Sequence, residues 1–308
     1  MREKTILHSF AVLLAMLVAL PAVHLYSQAR PAVRNLDSKP VAKTGGPDSA
    51  NAHGITVAIA LYDVIPESKS AFEQKAAEQL AALASNASFV NGRLLRNMDT
   101  TAAQYALYVK FSSRRESETA LAALAAGLRS YCRRDAETHI AVLGHSYSPS
   151  GDTATPTGVE FGTNRTGQVA HLGLFVPFPS YREEYDKVLH ETKMLTIGDK
   201  PRGYIGEDVL SEPDIVPPTK QTPYSPRARE ETRMSFNYGE YNTMQDAEDS
   251  YIAREEKNDP KLVTMERIFY SSLQVPTRFY IFQVTQNISG RNSASAAQDV
   301  AHTGGESN

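Results

Sequence analysis

Apolar residues along this chain fall into two alternating spacings, and the switches between them mark the elements. From Ile55 to Val64 nearly every residue is apolar or β-branched, and the run stops at Pro66, as a strand bounded by a breaker does. From Glu67 onward Phe72, Ala76, Leu80 and Leu83 recur at about 3.6 residues per turn against Lys75, Glu78 and Gln79, which predicts an amphipathic helix lying on a sheet. Phe89 to Arg96 and Gln104 to Phe111 read as two further strands. Ser112 or Ser113 then offers an N-cap, with Glu116 three residues after Ser113 completing a capping box. Leu121, Leu124, Ala125 and Leu128 form the stripe of the helix that follows. His139 to Tyr147 closes the unit as a fourth strand.

The second half of the chain repeats this order at an offset of about 113 residues, with Phe72 opposite Tyr185. Val169 to Pro177 is the first strand. A helix starting at Pro179 and Ser180 turns Tyr185, Val188, Leu189 and Thr192 inward, and Arg202 to Leu210 is the second strand. Glu231 to Tyr241 matches the third strand, Thr243 to Lys257 the second helix with Met244, Ala247 and Tyr251 inward, and Leu262 to Leu273 the fourth strand. Two features are private to this half: a Pro-rich insertion over 211–230, expected to be an irregular, exposed rim or lid, and a strand from Arg278 to Thr285 beyond the repeat.

A βαββαβ unit carries its helices on one face of an antiparallel sheet and leaves the other face to be covered. That face is apolar here, since neither Ile55 to Leu61 nor Leu172 to Phe178 contains a charge. The expected fold is therefore α+β: two ferredoxin-like repeats, 55–147 and 169–285, packed face to face as an intramolecular α/β-barrel pseudo-dimer, with further oligomerisation open. Residues 148–168, rich in Ser, Thr, Pro and Gly, read as the linker, and 30–54 and 286–308 as flexible segments.

Composition narrows the setting. The 308 residues carry a net charge of −3 with acids and bases intermixed, so no field gathers nucleic acid. Arg2 and Lys4, an apolar run from Phe10 to Leu20, and Ser27-Gln28-Ala29 have the form of a signal peptide cleaved after Ala29, which predicts a periplasmic or secreted protein. The rival is an uncleaved anchor, but the run is much shorter than the roughly 20 residues that span a bilayer. A single cysteine, Cys132, excludes an intrachain disulfide and is expected to be buried or incidental.

The opening of each half (Leu61 to Phe72; Leu174 to Tyr185), the Gly-containing second strands (Val90 to Leu95; Arg202 to Ile205) and the aromatic residue ending each third strand (Phe111-Ser112-Ser113; Tyr241-Asn242-Thr243) resemble the antibiotic-biosynthesis-monooxygenase superfamily of dimeric α/β barrels. The resemblance covers roughly 55–147 and 169–273. It implies cofactor-free oxygenases of polyketide quinones, haem-degrading enzymes, or domains without activity. The chain has no Trp, and Phe111 and Tyr241 stand where the family often has one, which argues against haem degradation.

A cofactor-free oxygenase needs a base or donors that hold a substrate phenolate or enolate near oxygen. His171, between Ala170 and Leu172, and Asn237, between Phe236 and Tyr238, interrupt otherwise apolar strands. With Tyr241 they are the candidate ligand-binding residues, and His171 the candidate base. The competing reading of His171 is a hydrogen-bonded core histidine. His139 and His145, six apart on one strand, should share a face about 20 Å apart, too far to share a metal. No metal-ligand cluster, phosphate loop or nucleophile elbow is present in the sequence, and no cofactor is expected. Two functions remain open: a non-catalytic protein whose barrel is packed or holds a small apolar or aromatic molecule, and a cofactor-independent monooxygenase-like enzyme acting on a small aromatic or polyketide-like substrate.

Overall fold

A computed structural model describes residues 54–98, 104–149, 151–153, 167–199, 201–214, 232–257 and 259–290. The proposed signal peptide, most of the linker and all but the first residues of the Pro-rich insertion lie outside them. The strands are β1 (Thr56–Tyr62), β2 (Phe89–Asn97), β3 (Tyr105–Phe111), β4 (Glu137–Ser148), β5 (Gly151–Thr153), β6 (Val169–Phe175), β7 (Tyr204–Ser211), β8 (Ser235–Tyr241) and β9 (Arg278–Ser289). The helices are α1 (Lys69–Leu83), α2 (Arg114–Leu128), α3 (Arg182–Gly198), α4 (Met244–Glu256) and α5 (Pro260–Ser271).

Among the described residues the nine strands form one sheet in the order β1-β3-β2-β9-β6-β8-β7-β4-β5. Because β4 also pairs with β1, eight of them close into an antiparallel barrel, and β5 extends β4 as a hairpin. The order is β4-β1-β3-β2 in the first half and β9-β6-β8-β7 in the second. The halves join edge to edge through β2–β9 and β4–β7. Closure leaves neither half with a free sheet edge. It also explains why β1 and β6 contain no Asp, Glu, Lys or Arg: every residue of both is buried, one face against helices and the other in the lumen.

The helices form as their stripes require. Phe72, Ala76 and Leu80 of α1 and Leu121, Leu124 and Leu128 of α2 are buried on the outer face of the first half, and the Ser113 Oγ accepts from the Glu116 backbone N–H at the start of α2. Three expectations are corrected. Leu262 to Leu273 is not a strand but mostly the helix α5, in which the Asp259 side chain caps the first turn by accepting from the Lys261 N–H and Pro260 occupies the first position. The fourth strand of the second half is instead β9, which extends through Ser289 into the segment expected to be a tail. His139 and His145 also face opposite sides of the sheet, because the β4–β7 register slips between Leu143 and His145 and a one-residue slip reverses every later side chain.

The lumen is filled. Ile59, Leu61, Leu172, Leu174, Phe236 and Phe282 pack in its middle, and charged groups occupy both ends. Toward the end where β3 and β8 finish, Lys110 Nζ lies 2.7 Å from Asp208 Oδ2 and Arg93 Nε 2.6 Å from Glu240 Oε1, all four side chains 0% exposed. Tyr108 and Tyr238 stack between them with centroids 3.9 Å apart, the first donating to Asp208 and the second to Glu240, each at 2.6 Å. At the opposite end, where β4 and β9 begin, Arg278 grips both oxygens of Glu137 at 2.5 and 2.7 Å, and His139 bridges Glu137 and Glu212 through its two ring nitrogens. Burial raises the Glu137 carboxyl, but His139 and Arg278 outweigh it and hold the group at about 2. Burial likewise pulls His139 down, and its two carboxylate partners reverse this and raise it.

Removing one member of a buried pair strands the other. Lys110→Met, which removes the ammonium from the Asp208 carboxyl and leaves it the Tyr108 and Ser146 hydroxyl bonds, should cost about 3–5 kcal/mol in denaturant unfolding; a loss below 1 kcal/mol would show that the box is not a stabilising element. Glu137 is held below its ordinary value in the folded chain, so its contribution is complete above about pH 4.5 and is lost as pH falls toward 2. The unfolding midpoint should decline over that window, and Glu137→Gln should flatten part of the decline. An unchanged slope in the variant would refute the assignment.

Candidate functional site

The outer, helix-facing side of the barrel differs between the halves. In the first, one continuous apolar cluster joins α1 and α2 to the sheet, including Ala58, Phe72, Leu107, Val109 and Leu124. In the second, the outer face is divided into two smaller clusters, one around Tyr204 and Tyr241 and another around Phe175, Tyr185 and Leu189. A polar group lies between them.

Its centre is His171. Register places His171 of β6 beside Gly239 of β8, and Gly239 beside Glu207 of β7, where the first half has Ala58, Val109 and Gly92. His171 Nε2 lies 2.9 Å from Glu207 Oε1, and Lys193 Nζ from α3 reaches the same oxygen at 2.5 Å. Burial pushes the Glu207 carboxyl upward, but Lys193 and His171 overcome it and hold it at about 2. Burial lowers Lys193, against the pull of Glu207. A β-carbon at Gly239 would stand 2.5 Å from His171 Cε1 and 2.7 Å from Nε2, so the missing side chain is what admits the imidazole.

An aromatic wall surrounds the group. Phe279 of β9 stacks on the His171 ring at 5.3 Å and 25° and is itself 46% exposed, while Tyr241 and Tyr251 stand 6.1 and 6.5 Å away. Burial raises the Tyr241 hydroxyl to about 12 and that of Tyr251 further, so both remain protonated donors near neutral pH. Asn237, two residues from Gly239 on the same face, is 5% exposed and its Oδ1 has no hydrogen-bond partner among the described residues. The three residues singled out from sequence, His171, Asn237 and Tyr241, thus share the outer face of adjacent strands β6 and β8, away from the lumen.

Glu207, Lys193, Gly239, Tyr251 and Phe279 were missed. Glu207 stands next to Asp208 in one strand, and the two acids point to opposite faces, one to His171 and one to Lys110. Acids inside a strand of this length were the available signal. Cys132 is buried against the Leu128 carbonyl, and burial pushes its thiol up to about 11, far from the thiolate a nucleophile needs. Among the described residues no group of three or more His, Cys, Asp or Glu is placed to hold a metal ion, and no helix is long and apolar enough to cross a membrane.

No family model and no curated protein matches the chain. Solved structures do. An anthrone oxidase-like protein superposes with a TM-score of 0.57 at 11% identity, covering 78% of this chain and 95% of its own. A candidate monooxygenase from Fusobacterium nucleatum subsp. nucleatum superposes with a TM-score of 0.52 at 6% identity, covering 77% and 95%. At such identities the likeness is one of fold, and the fold of this chain is that of the ferredoxin-like dimeric α/β barrels.

Proposed function

We propose that the protein is a cofactor-independent, monooxygenase-like enzyme whose substrate is a small phenol or enol bound between the sheet and helices of the second half. The observation that carries this is the His171–Glu207–Lys193 group, set where the first half has Ala58 and Gly92 under an unbroken apolar layer. A core histidine needs one partner. This one has an ionised carboxylate that is itself fixed by a lysine, an aromatic face exposed at its side, and a glycine that makes room for it.

With Nε2 donating to Glu207, Nδ1 carries the lone pair and accepts the substrate hydroxyl proton. Glu207 orients the ring and stabilises the imidazolium that forms. The resulting phenolate or enolate keeps its electrons for dioxygen, with Tyr241 and Tyr251 as hydroxyl donors and Phe279 as a stacking surface. Anthrone oxidase-like and monooxygenase-like proteins occur on this fold, which agrees with the reading without fixing a substrate. The filled lumen supports placing the ligand outside the barrel. We also infer that the halves are two copies of one βαββαβ unit paired as a pseudo-dimer, on the strength of their matching strand order, and that the chain is exported after cleavage behind Ala29.

The test is oxygen consumption against a panel of quinols and flavonoid-like phenols. His171→Gln should lower turnover at least about 100-fold, within the range expected for losing a general base, with little change in thermal midpoint. Glu207→Gln should lower it less. Equal turnover in parent and His171→Gln would refute the proposal. Gly239→Ala should displace the imidazole and lower turnover as well; a fully active Gly239→Ala protein would show that the ring position is immaterial. Mass spectrometry of the exported protein should find an N-terminus at Arg30, and a retained residue 1–29 segment would refute cleavage.

A further inference from the structure

The charges inside the barrel are arranged so that equivalent positions of the two halves carry opposite signs. Register makes the equivalences explicit. Arg93 faces Tyr108 across β2–β3 as Asp208 faces Tyr238 across β7–β8, so Arg93 and Asp208 are counterparts, and so are Lys110 and Glu240, each two residues past its tyrosine. Glu137 and Arg278 are likewise counterparts, each the first residue of its strand and paired with Leu61 and Leu174 respectively. At all three places one half has a base and the other an acid, and every one of these pairs is made across the halves. Tyr108 and Tyr238, which touch each other, are the same residue type in both.

We propose that the inner face of each half is a pairing surface that accepts the other half and rejects a copy of itself. Two first halves closed in this geometry would set Lys110 against Arg93 twice and Glu137 against Glu137. Two second halves would set Glu240 against Asp208 twice and Arg278 against Arg278. Each contact would be a like-charge pair shielded from water, where repulsion is least screened. The apolar lumen residues offer no such discrimination, because Leu, Ile, Phe and Tyr pack against either partner. The charged positions are thus what directs the barrel to close between unlike halves, within one chain or, on swapping, between the first half of one chain and the second of another.

The full-length chain allows a direct test. Arg93→Asp with Lys110→Glu makes the box of the first half like that of the second and should lower the thermal midpoint by more than about 10 °C or prevent folding. Adding Asp208→Arg and Glu240→Lys exchanges the signs between the halves and should recover at least half of the loss. A doubly substituted chain as stable as the parent, or a fourfold exchange no better than the double, would overturn the proposal. A third protein, with all four positions neutral (Arg93→Met, Lys110→Met, Asp208→Asn, Glu240→Gln), separates selectivity from stability. Refolded at high concentration, it should form more oligomers than the parent, and an unchanged oligomer distribution would count against rejection of like halves.

Discussion

The structure depends on closure of the sheet between its halves. Four strands of either half present an apolar inner face and two free edges, neither of which survives in water alone. Hydrogen bonding of β2 to β9 and of β4 to β7 removes the edges and encloses the face in one step. Closure also buries the charges of the lumen away from the protein surface, and the three pairs are made across the barrel. Lys110 finds Asp208, Arg93 finds Glu240, and Glu137 finds Arg278. Replacing a buried pair by apolar residues of similar size is often neutral or stabilising, whereas removing one partner strands a buried charge.

A filled and internally paired lumen leaves the outer face as the place where the halves can differ. In the first half Ala58, Val109 and Gly92 let the helices settle on the sheet. In the second, His171, Gly239 and Glu207 occupy the matching positions, and Lys193 reaches down from α3 to complete the group. The apolar layer divides around it, and Phe279 is left partly exposed beside the imidazole. One half thereby keeps an unbroken apolar layer, and the other carries a buried polar group within it.

Much of this was legible in the sequence, for physical reasons. The runs at Ile55 and Val169, the Pro-opened helices and the capping box at Ser113 announce their elements locally, and a barrel interior follows from first strands without charge. α5 was misread because Leu262, Val263, Ile268, Phe269 and Tyr270 have a strand-like composition; the Asp259-Pro260 start and the spacing of Leu262, Met265 and Phe269 decide for a helix. His171, Asn237 and Tyr241 stood out as polar or aromatic groups at apolar positions. Their partners did not, since Glu207 and Lys193 lie 36 and 22 residues from His171 in sequence and only strand pairing brings them close. Lys110 and Arg93 were passed over for the same reason: a charge in a strand reads as a solvent-facing residue until its partner, a whole half away, is known.

The central claim is that His171 acts as a base toward a phenol held beside Phe279 and Tyr251. The most direct measurement is the absorption spectrum of a bound nitrophenol, whose anion and neutral form differ in colour, followed over pH in the parent and in His171→Gln. The account predicts that the bound compound ionises at a lower pH than in free solution, and that this displacement disappears in His171→Gln while the compound still binds. Binding with the solution ionisation, or the same displacement in both proteins, would contradict it.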